Sequence, residues 1–314
     1  MDFTKQKIVL GVGMGISLST FLAFYLYKKF KKGSKIPKEW RKVGKLVEIS
    51  YFPLRSCSGI ELDEGFCGEF GLGEGNFHDR IFQLVDIKSG EIGFAGKRPK
   101  LYEIKTQKID DNILKVSAHG MEDLIIDVHE IAKGKEYYHD VYGFVVPLLD
   151  CGEKFDIWFS RFLLGKDTGL KLSMSRTPVV KTNWFRRTPK VNFYMATTTS
   201  SLKDLNSRLE NPVSNRQFRG NFMIETVDEA YSEDDWRWLK IGNEAIFKWN
   251  APCYRCILPN VRPITAQRSK DGEPFKTLKR YRMRKGEKEP IYGTYFDAVQ
   301  NGVVRKGDEV FVAY

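Results

Sequence analysis

The sequence predicts a β-rich protein of the α+β class, with one N-terminal transmembrane helix followed by two successive barrel-like units. Three observations support this fold class: an uncharged run of twenty residues near the N-terminus, short strand patterns separated by turn residues along most of the chain, and helical periodicity in only a few places. The chain has 314 residues, of which 42% are hydrophobic, so it can bury a sizeable core.

The uncharged run covers residues 8–27. Twenty helical residues span about 30 Å, the thickness of the hydrocarbon core of a bilayer. Nine basic residues follow at 28–45, while only Lys5 and Lys7 precede the run, so the positive-inside rule places the C-terminal body in the cytosol. A cleaved signal peptide is the alternative, but the run is long for one and lacks a small-x-small exit. We therefore predict a signal anchor at 1–27 and a basic linker at 28–45.

The net charge of +11 is concentrated in the N-terminal segment. Residues 1–46 contain eleven Lys and Arg against two acidic residues, which leaves a net charge of only +2 for the rest of the chain. Binding of a nucleic-acid duplex by phosphate neutralisation requires a cationic face on the folded part. The overall charge balance therefore argues against a duplex-binding protein.

The first unit, predicted at residues 46–165, consists mainly of strands. Residues 81–87 form an apolar run, K-S-G-E provides a turn, and residues 92–95 return, which predicts a hairpin. The same strand pattern continues at residues 101–109, 113–118 and 124–128.

Three helices are predicted. Apolar residues at 155, 158, 159, 162 and 163 have helical spacing, and the aromatic residues among them are typical of a core. A second helix is predicted to start at Ser200 or Ser201 in the capping sequence S-L-K-D. A third, short helix is predicted after Ser232, through E-D-D-W-R-W-L, where acidic residues favour a helix N-terminus.

The second unit is predicted at residues 166–314, with the division near residues 165–175. Strand pairs are expected at residues 241–249 and 302–313, the latter with a turn at K-G-D.

The five cysteines are predicted to be free thiols, because a cytosolic compartment is reducing and their number is odd. Cys253 and Cys256 form a C-x-x-C segment. A structural zinc site needs four ligands, and the histidines show no paired spacing. In a thioredoxin-like redox pair the second cysteine enters a helix. Here I-L-P-N-V-R-P follows, and its two prolines argue against a helix. A Cys–His nucleophile stays possible, and so does a single thiolate that binds a heavy metal held mainly by its own organic ligand.

The last option requires side chains that bind anions, and three short motifs contain them. Each motif places an arginine at the end or the start of a predicted strand, where alone it would be a common surface residue. Brought together by the fold, the guanidinium groups would suit the oxygen atoms of a phosphate. The motifs are F-P-L-R-S-C-S-G with Arg55 and Ser56, N-F-H-D-R with Asp79 and Arg80, and F-R-G-N with Arg219 and Asn221.

In their order and spacing these motifs resemble the mitochondrial amidoxime-reducing component family of MOSC-domain proteins. The resemblance extends over almost all of residues 46–314. Its other carriers are the basic linker, D-C-G-E at 150–153, L-K-D-L-N-S-R-L at 202–209, C-Y-R-C-I-L at 253–258 and the final K-G-D-E-V.

The resemblance implies a β-rich MOSC N-terminal domain followed by a MOSC barrel, with a molybdenum–molybdopterin cofactor bound between them. In the family the second cysteine of the C-x-x-C segment is the molybdenum ligand, a role that would fall to Cys256. The other positions implied to contact the cofactor are Arg55, Ser56, Arg80, Asn192, Arg219, Asn221 and Arg255. Asn192 lies in K-V-N, where the family has D-T-S.

The resemblance also implies an activity. Family members reduce N-hydroxylated compounds such as amidoximes, hydroxylamines and N-oxides, with electrons from NADH delivered by cytochrome b5 reductase and cytochrome b5. They lie on the outer mitochondrial membrane facing the cytosol, although an anchor of this kind would also suit the endoplasmic reticulum. Two alternatives are a tethered cofactor-binding or carrier protein without turnover, and sulfur-carrier chemistry at Cys256.

Overall fold

The strands of this computed structural model occupy both halves of the chain. The structure describes residues 35–92, 96–141, 144–175, 194–263 and 265–314. The predicted membrane span at 8–27, the linker up to residue 34 and Asn192 lie outside the described residues.

The described strands, in chain order, are β1 (Arg41–Tyr51), β2 (Ile60–Leu62), β3 (Glu64–Gly68), β4 (Gly71–Glu74), β5 (Phe77–His78), β6 (Phe82–Asp86), β7 (Lys105–Lys108), β8 (Ile113–Ser117), β9 (Leu124–Asp127), β10 (Glu136–Val141), β11 (Phe144–Asp150), β12 (Leu170–Ser175), β13 (Tyr194–Thr198), β14 (Phe222–Thr226), β15 (Trp238–Ile241), β16 (Ala245–Tyr254), β17 (Ile291–Gln300), β18 (Gly302–Arg305) and β19 (Glu309–Ala313). The α-helices are α1 (Val128–Ile131), α2 (Glu153–Leu164), α3 (Thr199–Asn206) and α4 (Phe275–Tyr281). Short 3-10 helices occupy Pro99–Glu103, Asn215–Phe218, Ser232–Asp234 and Leu258–Asn260.

Seven strands form a closed barrel in the order β14, β13, β17, β16, β15, β19 and β1, and the pairing of β14 with β1 closes it. At the closure Leu46 of β1 lies opposite Ile224 of β14. Gly44 permits the close approach of these strands, since a Cβ atom there would lie 1.7 Å from the carbonyl oxygen of Glu225. Aromatic rings fill the interior, with the Tyr194 and Phe222 rings stacked at 5.7 Å between centroids.

Three smaller sheets complete the described chain. Their orders are β10-β11-β12-β6, β18-β3-β4-β5 and β7-β8-β9. Helix α2 packs against β12 and buries Trp158 and Phe159, as its aromatic spacing predicts. The predicted hairpin after residue 81 is also confirmed, because Val85 of β6 bridges to Ile92 in antiparallel orientation.

The predicted fold class is confirmed in its β-rich character and is wrong in its transmembrane helix. Within the described ranges, no helix has the length and apolar character required to cross a membrane. The two halves of the chain also interleave: β1 closes the barrel built from the C-terminal strands, and β18 pairs with β3. Alternation of polar and apolar residues predicts strands but not which strands pair. The pairing of strands between the two halves could therefore not be predicted from the sequence. The predicted boundaries of the units stay a prediction.

Two helix predictions need correction. Helix α3 begins earlier than predicted, because the hydroxyl of Thr198 accepts the cap hydrogen bond from the Ser201 amide at 3.2 Å. The helix predicted after Ser232 is only a short 3-10 turn, and the chain continues as strand β15. The reason is packing: Trp236 and Leu239 are fully buried, and β15 bonds to two strands of the barrel.

A glutamate, Glu233, is fully buried in this 3-10 turn. One carboxyl oxygen accepts hydrogen bonds from the hydroxyls of Thr198 at 3.0 Å and Ser201 at 2.9 Å, while the other oxygen has no partner among the described residues. Burial raises the pKa of Glu233 from 4.5 to about 7. The folded state therefore holds this proton over a pH range in which the unfolded chain releases it.

Glu233 is expected to make the folded state less stable as pH rises from about 4.5 to 7. Its stabilising contribution is complete below the unfolded pKa and is lost as pH passes through the folded pKa, a change of roughly 3 kcal/mol. Glu233→Gln, which cannot ionise, should flatten this part of the profile. Urea unfolding at pH 5 and pH 8 measures the effect, with Glu229→Gln as the exposed control. Parallel profiles for wild type and Glu233→Gln would contradict it.

Candidate functional site

Three of the predicted site residues have unusual backbone geometry. Ser56, Arg80 and Arg219 have φ angles of 69°, 59° and 56°, in the left-handed region that residues with a Cβ atom rarely adopt. Each such conformation costs on the order of 1–3 kcal/mol and persists where the surrounding structure imposes it. The three turns therefore point to a functional site.

A buried carboxylate, Asp79, connects two of these turns. It forms an ion pair with Arg80 and accepts a hydrogen bond from the Phe52 amide at 2.6 Å. The Arg80 amide in turn donates to the Phe52 carbonyl at 2.7 Å. The chain following β1 is thereby fixed against the start of β6, and the Arg55 amide adds a bond to the Phe82 carbonyl at 2.8 Å.

The arginines of the three motifs lie together, as the sequence predicts. Burial, together with the positive charges of Arg219 and Arg55, lowers the pKa of Arg80 to about 9. An arginine with a lowered pKa is rare, because guanidinium groups normally stay protonated under all conditions. The arrangement is thus a concentration of positive charge that an anion would stabilise.

Arg219 is 94% buried and reaches across the site. Its Nη1 atom donates to the carbonyl of Cys57, and its guanidinium lies 4.1 Å from the centroid of the Phe52 ring. Its Nη2 atom is buried without a hydrogen-bond partner among the described residues. A buried donor left without a partner costs about 1–3 kcal/mol, so this atom is available to a ligand.

Asn221 has a different environment from that of the arginines. Its amide oxygen accepts from the Met195 amide at 3.0 Å, and its Nδ2 atom donates to the Ser50 carbonyl at 3.1 Å and to Asp79 at 3.2 Å. The side chain thus connects β13, β1 and the Asp79 turn. Asn221 holds the site together, and its predicted contact with a cofactor stays a prediction.

The two cysteines of the C-x-x-C segment have opposite environments. Cys253 is fully buried at the end of β16, and its sulfur accepts a hydrogen bond from Arg255 Nη1 at 2.9 Å. Cys256 follows the strand and is exposed, whereas the other four cysteines are buried. Within the described ranges, no group of three or more His, Cys, Asp or Glu residues is arranged to bind a metal ion. Cys256 is therefore the one exposed cysteine of the described chain, and no His, Cys, Asp or Glu residues there join it in a metal-binding group.

Arg255 is directed into the protein beside Cys253. Its Nη2 atom donates to the Phe218 carbonyl at 2.6 Å, and its backbone amide donates to the Pro290 carbonyl at 2.8 Å. Its Nε atom is buried and has no hydrogen-bond partner in the part of the chain that the structure describes. Burial opposes the charge of Arg255, but the neighbouring Cys253 and Tyr295 outweigh this and raise its pKa.

The sequence did not indicate Phe52 or Tyr102, although both contribute to the site. Phe52 lies against Arg219 on one side, and Arg80 is 5.6 Å from its ring centroid. Burial raises the pKa of Tyr102. The positive charges of Arg219 and Arg255 act in the opposite direction and lower it, whereas Cys256 raises it. Tyr102 therefore lies within electrostatic range of all three groups. Phe52 begins the F-P-L-R motif and was detectable there, whereas no local signal marks Tyr102.

A cavity of about 800 Å³ opens beside these residues. Phe52, Tyr102 and Gly220 line it, together with the carboxylates of Glu48 and Glu61. Its volume is within the range of small-molecule sites, about 300–1,000 Å³. Because Phe52 and Tyr102 also contact Arg219, the cavity adjoins the arginine cluster, but neither Arg219 nor Cys256 lines it.

Two family profiles match the chain. The MOSC N-terminal beta barrel domain matches residues 43–166, and the MOSC domain matches residues 190–311. MOSC domains are associated with molybdenum cofactor binding.

Among relatives, mitochondrial amidoxime reducing component 2 of Macaca fascicularis is 31% identical over 86% of this chain and 84% of its own length. Mitochondrial amidoxime-reducing component 1 of Homo sapiens is 31% identical over 87% of this chain and 84% of its own length. The chain belongs to the mitochondrial amidoxime-reducing component family. The resemblance stated from the sequence motifs is confirmed, and these relatives are named as amidoxime-reducing components. A solved structure, the YUAD protein of Bacillus subtilis, is 10% identical over 88% of this chain with a TM-score of 0.42.

The residues of this family member fit an anionic cofactor that carries a thiolate-binding metal. Arg219 and Arg255 form no ion pair with a described residue, and each retains a buried nitrogen without a hydrogen-bond partner there. Cys256 supplies an accessible sulfur in the same place. Soft thiolate ligands suit heavy metals, and guanidinium groups suit phosphate.

Proposed function

We propose that this protein is a molybdenum-dependent reductase of N-hydroxylated compounds such as amidoximes, hydroxylamines and N-oxides. Electrons would come from NADH through cytochrome b5 reductase and cytochrome b5, and the protein would act in mitochondria, as the names of its relatives suggest. The observation that carries the proposal is the accessible sulfur of Cys256 beside buried guanidinium groups that no described carboxylate pairs, Arg219 and Arg255.

In this proposal Cys256 provides the protein ligand for a molybdenum–molybdopterin cofactor. Arg55, Arg80 and Arg219 hold its phosphate, with the Ser56 turn positioning the first of them. Arg255 places positive charge next to the sulfur of Cys256. Asn221 and Asp79 do not bind the cofactor directly in this proposal. They position the arginines, since Asn221 donates a hydrogen bond to Asp79 and Asp79 pairs with Arg80.

When bound, the cofactor supplies two-electron oxygen transfer, in which an N–OH group gains two electrons and two protons, loses water and becomes N–H. The protein supplies binding, orientation and electrostatics. The cavity lined by Phe52 and Tyr102 is the proposed position of the substrate, because it adjoins the arginine cluster and has the size of a small molecule.

Turnover of benzamidoxime tests this function. We expect purified protein, loaded with cofactor and supplied with NADH, cytochrome b5 reductase and cytochrome b5, to form benzamidine. Stoichiometric molybdenum without benzamidine formation, also with a chemical reductant, would instead favour a cofactor carrier. Persulfide transfer from Cys256 without molybdenum would favour a sulfur carrier.

A further inference from the structure

A strongly basic segment follows Cys256 directly. Residues 255–285 contain ten Lys and Arg but only two acidic residues, a net charge of +8. The whole chain has a net charge of +11, of which residues 1–46 carry +9, so the residues outside these two segments have a net charge of −6. The positive charge of the folded body is therefore concentrated in this one segment.

Most of these charges point into solvent. Residues 276, 279 and 280 on α4 and residues 284 and 285 beyond it are all exposed lysines or arginines. The structure gives none of these five an ion pair with a described residue, in contrast to Arg282, which pairs with Asp234. A basic surface without compensating carboxylates attracts acidic partners.

Hydrogen bonds hold this surface close to Cys256. The side chain of Asn260 accepts from the Phe275 amide at the start of α4, at 3.0 Å, and donates to the Gly272 carbonyl at 2.9 Å. Asn260 is four residues after Cys256, and four residues span at most about 14 Å. Five residues beyond the segment, the Pro290 carbonyl accepts the hydrogen bond from the Arg255 amide. The chain that carries the basic residues is therefore tied back towards Cys256 both before and after α4.

We propose that the exposed basic residues of α4, Lys276, Lys279 and Arg280, form the docking surface for an acidic electron-donor protein. This inference rests on the proposed function and identifies the surface through which the site is reduced. Electron transfer requires the donor to approach the metal closely, and the hydrogen bonds of Asn260 hold the start of α4, the helix that carries these charges, near Cys256. Interfacial charges of this kind raise the association rate and make it dependent on salt.

An acidic protein fits this surface better than an anionic membrane. A membrane held flat against α4 would cover the chain next to Cys256 and hinder the entry of small substrates. A protein donor binds transiently and leaves the site open between electron deliveries.

The test compares two triple variants of the full chain loaded with cofactor. The first, Lys276→Glu/Lys279→Glu/Arg280→Glu, reverses the docking surface. The control, Lys88→Glu/Lys154→Glu/Lys166→Glu, reverses three exposed lysines at the β6 hairpin and on or after α2. Benzamidoxime reduction is driven either by cytochrome b5 with its reductase or by chemically reduced methyl viologen, a small cationic donor.

We expect the first variant to raise the KM for cytochrome b5 by about tenfold or more, and the control to change it by less than about twofold. The wild-type KM should rise as salt increases from 50 to 300 mM. Turnover with methyl viologen should not fall in either variant, which shows that the site is intact. The variant Lys276→Gln/Lys279→Gln/Arg280→Gln removes the three charges without reversing them, and it should give a smaller increase in KM. This graded response distinguishes lost electrostatic attraction from misfolding of α4.

An unchanged KM in the first variant, or a wild-type KM independent of salt, would overturn the proposal. So would loss of binding to phosphatidylserine vesicles with an unchanged KM, which would assign the surface to lipid. Failure of the wild type with methyl viologen as well would instead contradict the proposed reductase function itself.

Discussion

Replacing Cys256 with serine is expected to abolish reduction of benzamidoxime, with a loss of at least about 100-fold in turnover, or roughly 3 kcal/mol. Serine has almost the same shape, but its oxygen does not offer the soft thiolate that binds a heavy metal. Because Cys256 is exposed and follows the end of β16, the substitution should leave the fold unchanged. Turnover and molybdenum content, measured on the same preparation, test this expectation together.

Cys253→Ala is the matched control for Cys256→Ser. Cys253 is fully buried and accepts a hydrogen bond from Arg255, so its loss should reduce thermal stability and loosen Arg255. It should leave most of the bound molybdenum in place. Equal loss of metal from both variants would contradict the assignment of Cys256 as the ligand.

The second large effect is expected from Arg219→Met, which should lower the molybdenum content by about tenfold or more, since a charge-assisted pair with phosphate contributes roughly 1.5–3 kcal/mol. The cofactor-free protein should respond differently. Removing this charge relieves the repulsion that lowers the pKa of Arg80, which partly offsets the lost contacts with Cys57 and Phe52.

The readouts for Arg219→Met are the metal content and the melting temperature of the cofactor-free form. Arg219→Lys retains the charge but not the planar fork, and it should bind an intermediate amount of cofactor. A purely structural arginine would give a large decrease in melting temperature with normal metal content in the folded fraction, and that pattern would exclude the proposed role.

Local sequence patterns predicted the parts of the site but not the way the barrel closes. The motifs with Arg55, Arg80 and Arg219 each lie at a strand end, and the structure brings all three together. Period-two alternation shows where a strand lies but carries no information about its partner, so the insertion of β1 between β14 and β19 was missed. The same limit explains the helix predicted after Ser232, where contacts with the barrel outweigh local preference.

Contacts across the fold explain the remaining differences. Tyr102 reaches Arg219 only through tertiary packing, and nothing in its own segment distinguishes it from a core residue. Asn221 is of a residue type that often contacts a ligand. Its side-chain amide, however, is already hydrogen-bonded to backbone groups and to Asp79. The assignment of a polar residue to a ligand therefore requires knowledge of its protein partners.

Molybdenum analysis of the purified, folded protein is the most direct test of the central claim that one protein sulfur and a group of arginines bind a metal–pterin cofactor. We predict close to one molybdenum per chain after loading with the cofactor, and almost none in Cys256→Ser. A folded wild-type protein that takes up neither the metal nor its pterin complex would contradict the claim.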